Sequence, residues 1–316
     1  MRSLALALLG GCSFSHGMLV AGDDAPADSA QLQSDAPVDA APSCLAQWHD
    51  GTIHFGIPVD LTAMSSATYD RDPSVSADEL TFWVSSSRTG TIGGADVFQA
   101  TRATKASAWS TPVSIPPISS TGTETKFSVT ADGLYGVVGS DRTGSVNGSL
   151  DVWEATRVTA DGAWSAPLQT HLGKVNTGGS DHDPTISGDG LRLYLAPQNG
   201  VQAIQVATRA SRNDNFAAPV TITELYSGYG DGDPALSADE LVIAFSSGRP
   251  ATRGGGNIWY AVRASTTAAW SAPLPLDDLN TDGYEGDPTL SSDGCRVYFA
   301  RDVGSGNWDI MLATAL

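Results

Sequence analysis

Paired carboxylates ahead of a proline recur along this chain of 316 residues: "DRDPSVSADE" begins at Asp70, "DHDPTISGDG" at Asp181, "DGDPALSADE" at Asp231 and "EGDPTLSSDG" at Glu285. Three chemistries use acidic side chains set two apart before a short apolar run. They can hold Ca²⁺, an ion that seeks clustered oxygens. They can supply the acid and the base of glycoside hydrolysis. They can also pair with arginine forks inside a repeated structural unit. "DGDP" departs from the EF-hand pattern, because proline and a strand follow where more ligands should come. A catalytic carboxylate is needed once, whereas these return in unit after unit. Repetition favours the structural reading and leaves the other two open.

Two further markers define the units. An aromatic stands three residues before a proline at Phe55/Pro58, Trp109/Pro112, Trp164/Pro167, Phe216/Pro219 and Trp270/Pro273, with successive aromatics 54, 55, 52 and 54 residues apart. The runs "DVFQATR", "DVWEATR", "AIQVATR", "NIWYAVR" and "DIMLATA" begin at 96, 151, 203, 257 and 309. Five copies of each mean five units. Each reads as four short strands: the run after Asp-Pro, an apolar strand behind an Asp-Glu or Asp-Gly turn, the third after a Gly-rich loop, and the aromatic-x-x-Pro run. Helical periodicity is absent beyond the N-terminus. The pattern predicts an all-β chain: a five-bladed β-propeller of four-stranded antiparallel blades over residues 44–316.

At these residues the chain resembles the Pro-Asp β-propeller repeat of the TolB-like family, over roughly residues 62 to 316. The resemblance implies the propeller fold and a bacterial envelope protein; fold and function are separate inferences in propellers. The second copy departs with Lys126-Phe127 in place of Asp-Pro, and the third carries "APQNG" where others have an arginine.

The first strand of each blade lines the channel, so two rings are expected at its mouth. One is Asp72, Lys126, Asp183, Asp233 and Asp287; the other is Asp70, Glu124, Asp181, Asp231 and Glu285. So many carboxylates around one funnel need compensation. Arg88, Arg142 and Arg249 each follow the inner-ring position by 16 residues, Asn199 stands there in the third copy, and Arg301 is displaced by two in the fifth. Ligand contacts are expected where the repeat breaks, at Lys126, His182, Asn199, Tyr226 and Tyr229. Tyrosines beside such a funnel suit a sugar or a cationic peptide.

A formal net charge of −18 disfavours nucleic acid. No run of about 20 apolar residues exists to span a membrane. "MRSLALALLGGCSFS" resembles a bacterial lipoprotein signal ending at Cys12, which implies export and lipidation there, though it is shorter than such segments usually are. Residues 13–43, rich in Ala, Asp, Pro and Ser, read as a disordered tether. The expected protein is a monomer on the outer membrane, facing periplasm or cell surface and touching the membrane by lipid alone. It would bind an envelope protein, a peptide or a glycan, with no resident cofactor. Gly-x-Ser-x-Gly, His-Glu-x-x-His and phosphate-binding loops are missing. Non-catalytic binding is therefore the first functional expectation. A glycoside hydrolase of the five-bladed, furanosidase-like kind is the second.

The chain ends at a third strand, while "TIHFGIPVDL" carries an unaccompanied aromatic-x-x-Pro marker. Residues 53 to 61 are therefore expected to complete the fifth blade. Cys44 precedes that strand and Cys295 lies in the same blade, which makes them the expected disulfide in an oxidising compartment.

Overall fold

The computed structural model describes residues 43–250 and 253–316. Cys12, the 1–12 signal and all of the 13–43 tether except Ser43 lie outside the described residues. The chain enters through α1 (Cys44–Asp50), whose N-terminus is capped by the Ser43 side chain. This helix corrects the expectation of none. Its seven residues are too few to show a helical period, and tertiary contacts hold it rather than intrinsic propensity.

Strand β1 (Val59–Asp60) follows, and then the blades run in order. Blade 1 is β2 (Asp70–Val75), β3 (Thr81–Ser86), β4 (Asp96–Thr101) and β5 (Val113–Ser114). Blade 2 is β6 (Glu124–Val129), β7 (Tyr135–Ser140) and β8 (Asp151–Thr156), its fourth strand reduced to a bridge between Glu154 and Leu168. Blade 3 is β9 (Thr185–Ile186), β10 (Arg192–Leu195), β11 (Gln205–Thr208) and β12 (Val220–Thr221). Blade 4 is β13 (Asp231–Leu236), β14 (Val242–Ser247), β15 (Asn257–Val262) and β16 (Leu274–Pro275). Blade 5 is β17 (Glu285–Leu290), β18 (Arg296–Gly304) and β19 (Asn307–Thr314), completed by β1. The innermost strands β2, β6, β9, β13 and β17 adjoin in that order, and β17 returns to β2. This is a five-bladed β-propeller.

Apolar cores lie between successive blades. Phe82 and Phe98 meet Tyr298 and Ile310 between blades 1 and 5; Trp83 meets Phe127 and Trp164 between blades 1 and 2. The two sequence markers meet as well. The arginine closing each "ATR" run lies over its blade's aromatic: Arg102 on Trp109 at 4.1 Å, Arg157 on Trp164 at 4.3 Å, Arg209 on Phe216 at 4.3 Å and Arg263 on Trp270 at 4.2 Å. Each donates its Nε to the carbonyl of the turn joining the first two strands, at Glu79, Gly133, Gly190 and Glu240 respectively. That turn residue has a left-handed backbone. Glycine adopts it freely, whereas Glu79 (φ 58°) and Glu240 (φ 59°) do so against a steric cost. Both glutamates reach the preceding blade: Glu79 takes the Arg296 fork at 2.7 and 2.8 Å, and Glu240 the Arg192 fork at 2.5 and 2.6 Å. Bidentate pairing offsets the backbone cost.

In blade 5 no arginine closes the run, and α1 supplies a substitute. Trp48 is fully buried, packs on Phe55 at 5.6 Å, and donates its Nε1 to the carbonyl of Gly294 at 2.9 Å. Val59 pairs opposite Leu312 and Asp60 opposite Met311, so an N-terminal strand closes the ring. A disulfide joins Cys44 to Cys295, with Cα atoms 5.2 Å apart.

Candidate functional site

The two carboxylate rings have different surroundings. Every outer-ring carboxylate is fully buried and accepts from the backbone N–H and the hydroxyl of the serine or threonine four residues earlier. These are Ser66 to Asp70, Ser120 to Glu124, Thr177 to Asp181, Ser227 to Asp231 and Thr281 to Glu285. Four also take an arginine of their own blade: Arg88 on Asp70 at 2.6 Å, Arg142 on Glu124 at 3.2 Å, Arg249 on Asp231 at 2.7 Å and Arg301 on Glu285 at 2.9 Å. The same arginines donate to the carbonyls of Met64, Ile118, Leu225 and Leu279 in the segments leading into their blades. The arginines thus serve the outer ring and not the inner one. Asp181, whose blade has Asn199 at that position, lacks an arginine, and Asn199 bonds instead to Thr177 at 3.0 Å.

The inner ring is built by a bulge. Strand register shifts between Arg71 and Ser74, between Gly232 and Ala235, and between Gly286 and Thr289. Asp72, Asp183, Asp233 and Asp287 carry φ values of 55°, 55°, 51° and 53°, a left-handed conformation that aspartate tolerates better than most residues. Lys126 replaces the aspartate in blade 2 and reaches across the channel, donating its Nζ to the carbonyls of Pro234 at 3.0 Å and Pro288 at 3.3 Å. Burial lowers its pKa, against the pull of the four aspartates.

Above this level lies a cavity of about 290 Å³ lined by Tyr69, Arg71, Asp72, His182, Asp183 and Asp233, with Thr125, Gln198, Gln202 and Tyr284 among its other walls. Arg71 forks onto Asp287 at 2.5 and 2.7 Å and lies 4.4 Å over the Trp308 ring. The His182 Nδ1 bonds to Asp183. Burial, the largest influence on each, would discharge both partners; their mutual attraction prevails, lowering Asp183 and raising His182 to about 9. Asp72 is raised well above the carboxylate range, by burial first and then by Asp287 and Asp183. Asp233 and Asp287 are raised too, burial again leading. Among the cavity's walls, the buried His182 Nε2 and Thr125 Oγ1 lack hydrogen-bond partners.

Of the residues singled out in the sequence, Asp72, Asp183, Asp233 and His182 come together here, whereas Lys126 borders a separate cavity with Thr185 and Thr289. Asn199 and Tyr226 line a separate groove of about 260 Å³ on blade 3, and Tyr229 is 63% exposed on its loop. Arg71, Tyr69 and Tyr284 were missed. Their signal was present at the positions one and three residues before the inner ring, which vary from blade to blade (Arg71, Thr125, His182, Gly232 and Gly286; Tyr69, Thr123, Ser180, Gly230 and Tyr284). Among the described residues no group of three or more His, Cys, Asp or Glu side chains is arranged to hold a metal ion.

No protein-family model matches the sequence, and no curated protein does. Among solved structures the chain is similar to the catalytic domain of the Coprinopsis cinerea GH62 α-L-arabinofuranosidase, at 14% identity and a TM-score of 0.53 over 83% of this chain and 96% of that one. It is also similar to native Bacillus subtilis arabinanase Arb43A, at 14% identity and a TM-score of 0.52 over 80% and 96%. TolB from Acinetobacter baumannii aligns at 15% identity and a TM-score of 0.46 over 85% and 67%. At these identities the likeness is one of fold.

Proposed function

We propose that this protein is a non-catalytic binding propeller displayed on the bacterial cell envelope, with its ligand docking in the channel-mouth cavity. The carrying observation is a polar lining that the fold itself leaves unused: the buried Thr125 Oγ1 and His182 Nε2. A buried polar group without a partner costs about 1–3 kcal/mol, and a ligand that supplies the missing bonds relieves that cost. Arg71, Lys126 and His182 offset the inner aspartates, so the cavity suits a hydrogen-bonding glycan better than a cationic peptide. Calorimetry with neutral oligosaccharides and with Lys/Arg-rich peptides tests this. Sugar binding weakened about tenfold by His182→Ala, one hydrogen bond's worth, supports the reading. Peptide binding indifferent to His182 and Asp72 removes the cavity from it.

A second reading, glycoside hydrolysis, is favoured by one observation. Asp72 and Asp183 line the same cavity, and His182 bonds to Asp183 and not to Asp72, the difference in surroundings that acid and base roles require. Turnover of arabinan, fructan or chromogenic furanosides that Asp72→Asn and Asp183→Asn both abolish would establish the hydrolase. Against it stands the shared backbone of all four aspartates, which is what a fold requirement repeated by blade produces. Envelope display rests on the lipidation expected at Cys12, and loss of the protein from membrane fractions on Cys12→Ser tests it.

A further inference from the structure

At the opposite end of the blades, beyond the turn joining β6 to β7, blade 2 borders a cleft of about 420 Å³ lined by Tyr135, Glu154, Arg157, His171, Arg212 and Asn213 among others. Three of these depart from the repeat. Tyr135 stands where other blades have Thr81, Arg192, Val242 and Arg296; Glu154 where they have Gln99, Val206, Tyr260 and Leu312; His171 falls in a segment, Trp164 to Thr177, that is two residues longer than its counterparts Phe55 to Ser66, Trp109 to Ser120, Phe216 to Ser227 and Trp270 to Thr281. The three side chains meet. The Tyr135 hydroxyl donates to Glu154 Oε2 at 2.7 Å, and the His171 backbone N–H and Nδ1 reach Glu154 Oε1 at 3.0 and 2.9 Å. A carboxylate only accepts, so Nδ1 carries the hydrogen. That leaves Nε2 for a further hydrogen bond, on a ring held in one orientation, with a side chain 26% exposed.

Arg157 supplies the complementary charge. In blades 1 and 4 the equivalent arginine meets its own turn's glutamate, Arg102 to Glu79 at 3.7 Å and Arg263 to Glu240 at 3.8 Å. Blade 2 has Gly133 at that turn, and Arg157 donates its Nε to the Gly133 carbonyl at 2.6 Å. Asp161 acts on Arg157 through space, and no carboxylate among the described residues comes within ion-pair distance of it. Arg212, held by Asp132 at 2.6 Å, adds a second cation at the rim. In the other two blades the protein places a carboxylate on this arginine; here it places a cleft beside it.

We propose that the cleft binds a small hydroxylated carboxylate, its carboxylate on the Arg157 guanidinium and a hydroxyl hydrogen-bonded to His171 Nε2. The site is distinct from the channel mouth and does not depend on it. Calorimetry on the full chain with D-glucuronate, D-glucose and inorganic phosphate tests it, with Trp164 fluorescence, directly beneath Arg157, as a second readout. Glucuronate is expected to bind saturably, with a Kd raised about tenfold or more by Arg157→Gln, the loss expected for a charge-assisted pair. His171→Ala is expected to weaken it, His182→Ala to leave it unchanged, and glucose and phosphate to bind far less. Glucuronate that does not saturate with the wild-type chain overturns the proposal even if the Arg157 variant does not fold. So does binding matched by glucose or phosphate, or a Kd that responds to His182 and not to Arg157.

Discussion

His182 shows how one side chain can tie stability to pH. Its imidazolium is held by Asp183, so the folded chain keeps a proton to about pH 9 that the unfolded chain releases near its ordinary 6.5. Stabilisation from this pair is complete between the ordinary carboxylate range and pH 6.5, disappears as pH rises through 9, and is lost at acid pH as Asp183 takes up a proton. Asp72, Asp233 and Asp287, raised by burial, act in the same direction from the ordinary carboxylate range upward. Lys126, lowered by burial, acts the other way at high pH. The expected outcome is a midpoint that falls between pH 6.5 and 9 in wild type and is flatter in His182→Asn. Urea denaturation across that window measures the difference, and identical slopes would remove His182 from the account. Arg71 is the complementary case. It neutralises Asp287 from an adjoining blade, and a buried carboxylate deprived of its partner is among the costlier single losses a fold can suffer.

At the scale of elements, α1 completes a pattern that the fifth blade lacks. Four blades tie their first turn to their outer strand through an arginine stacked on an aromatic. Blade 5 does so through Trp48, which reaches the Gly294 carbonyl and the Phe55 ring from outside the repeat. Trp48→Ala removes the ring and the bond together, and a loss of about 3–5 kcal/mol is expected for a large buried aromatic. Trp48→Phe keeps most of the packing and should cost less, with about 1 kcal/mol of the difference due to the hydrogen bond. Equal losses for the two variants would show that the bond to Gly294 is immaterial. This arrangement was illegible beforehand. Helix α1 has no periodicity to read, and its contact with Gly294 spans 246 residues.

The five blades form a ring, and a ring fails where its ends meet. Strand β1 and the Cys44–Cys295 bridge both lie at that seam, the bridge enclosing a sequence separation of 251 residues. Cross-links over loops of this length are worth on the order of 5 kcal/mol in the chain-entropy model. Reduction should therefore lower the urea midpoint, and Cys44→Ser/Cys295→Ser should match the reduced wild type. Labelling of the unfolded, unreduced chain should find neither cysteine free. A reduced protein with an unchanged midpoint would assign closure to β1 and Trp48 alone.

Local repetition made the architecture readable. A blade is a unit of about 50 residues, so the spacing of aromatic-x-x-Pro and "ATR" was enough to count five blades. The unmatched marker at Phe55 and Pro58 was enough to place residues 53 to 61 in the last one. Which carboxylates reach the cavity was decided by tertiary structure. Asp70 and Asp72 are two residues apart and both aspartates, yet a bulge and a left-handed φ leave one held by Ser66 and Arg88 and bring the other to the cavity. Arg71 and Asp287, or Tyr135, Glu154 and His171, meet only because blades and strands far apart in sequence are brought side by side. Periodicity records what every blade must share; a binding site is made from what one blade does differently, and the ring decides where those differences meet.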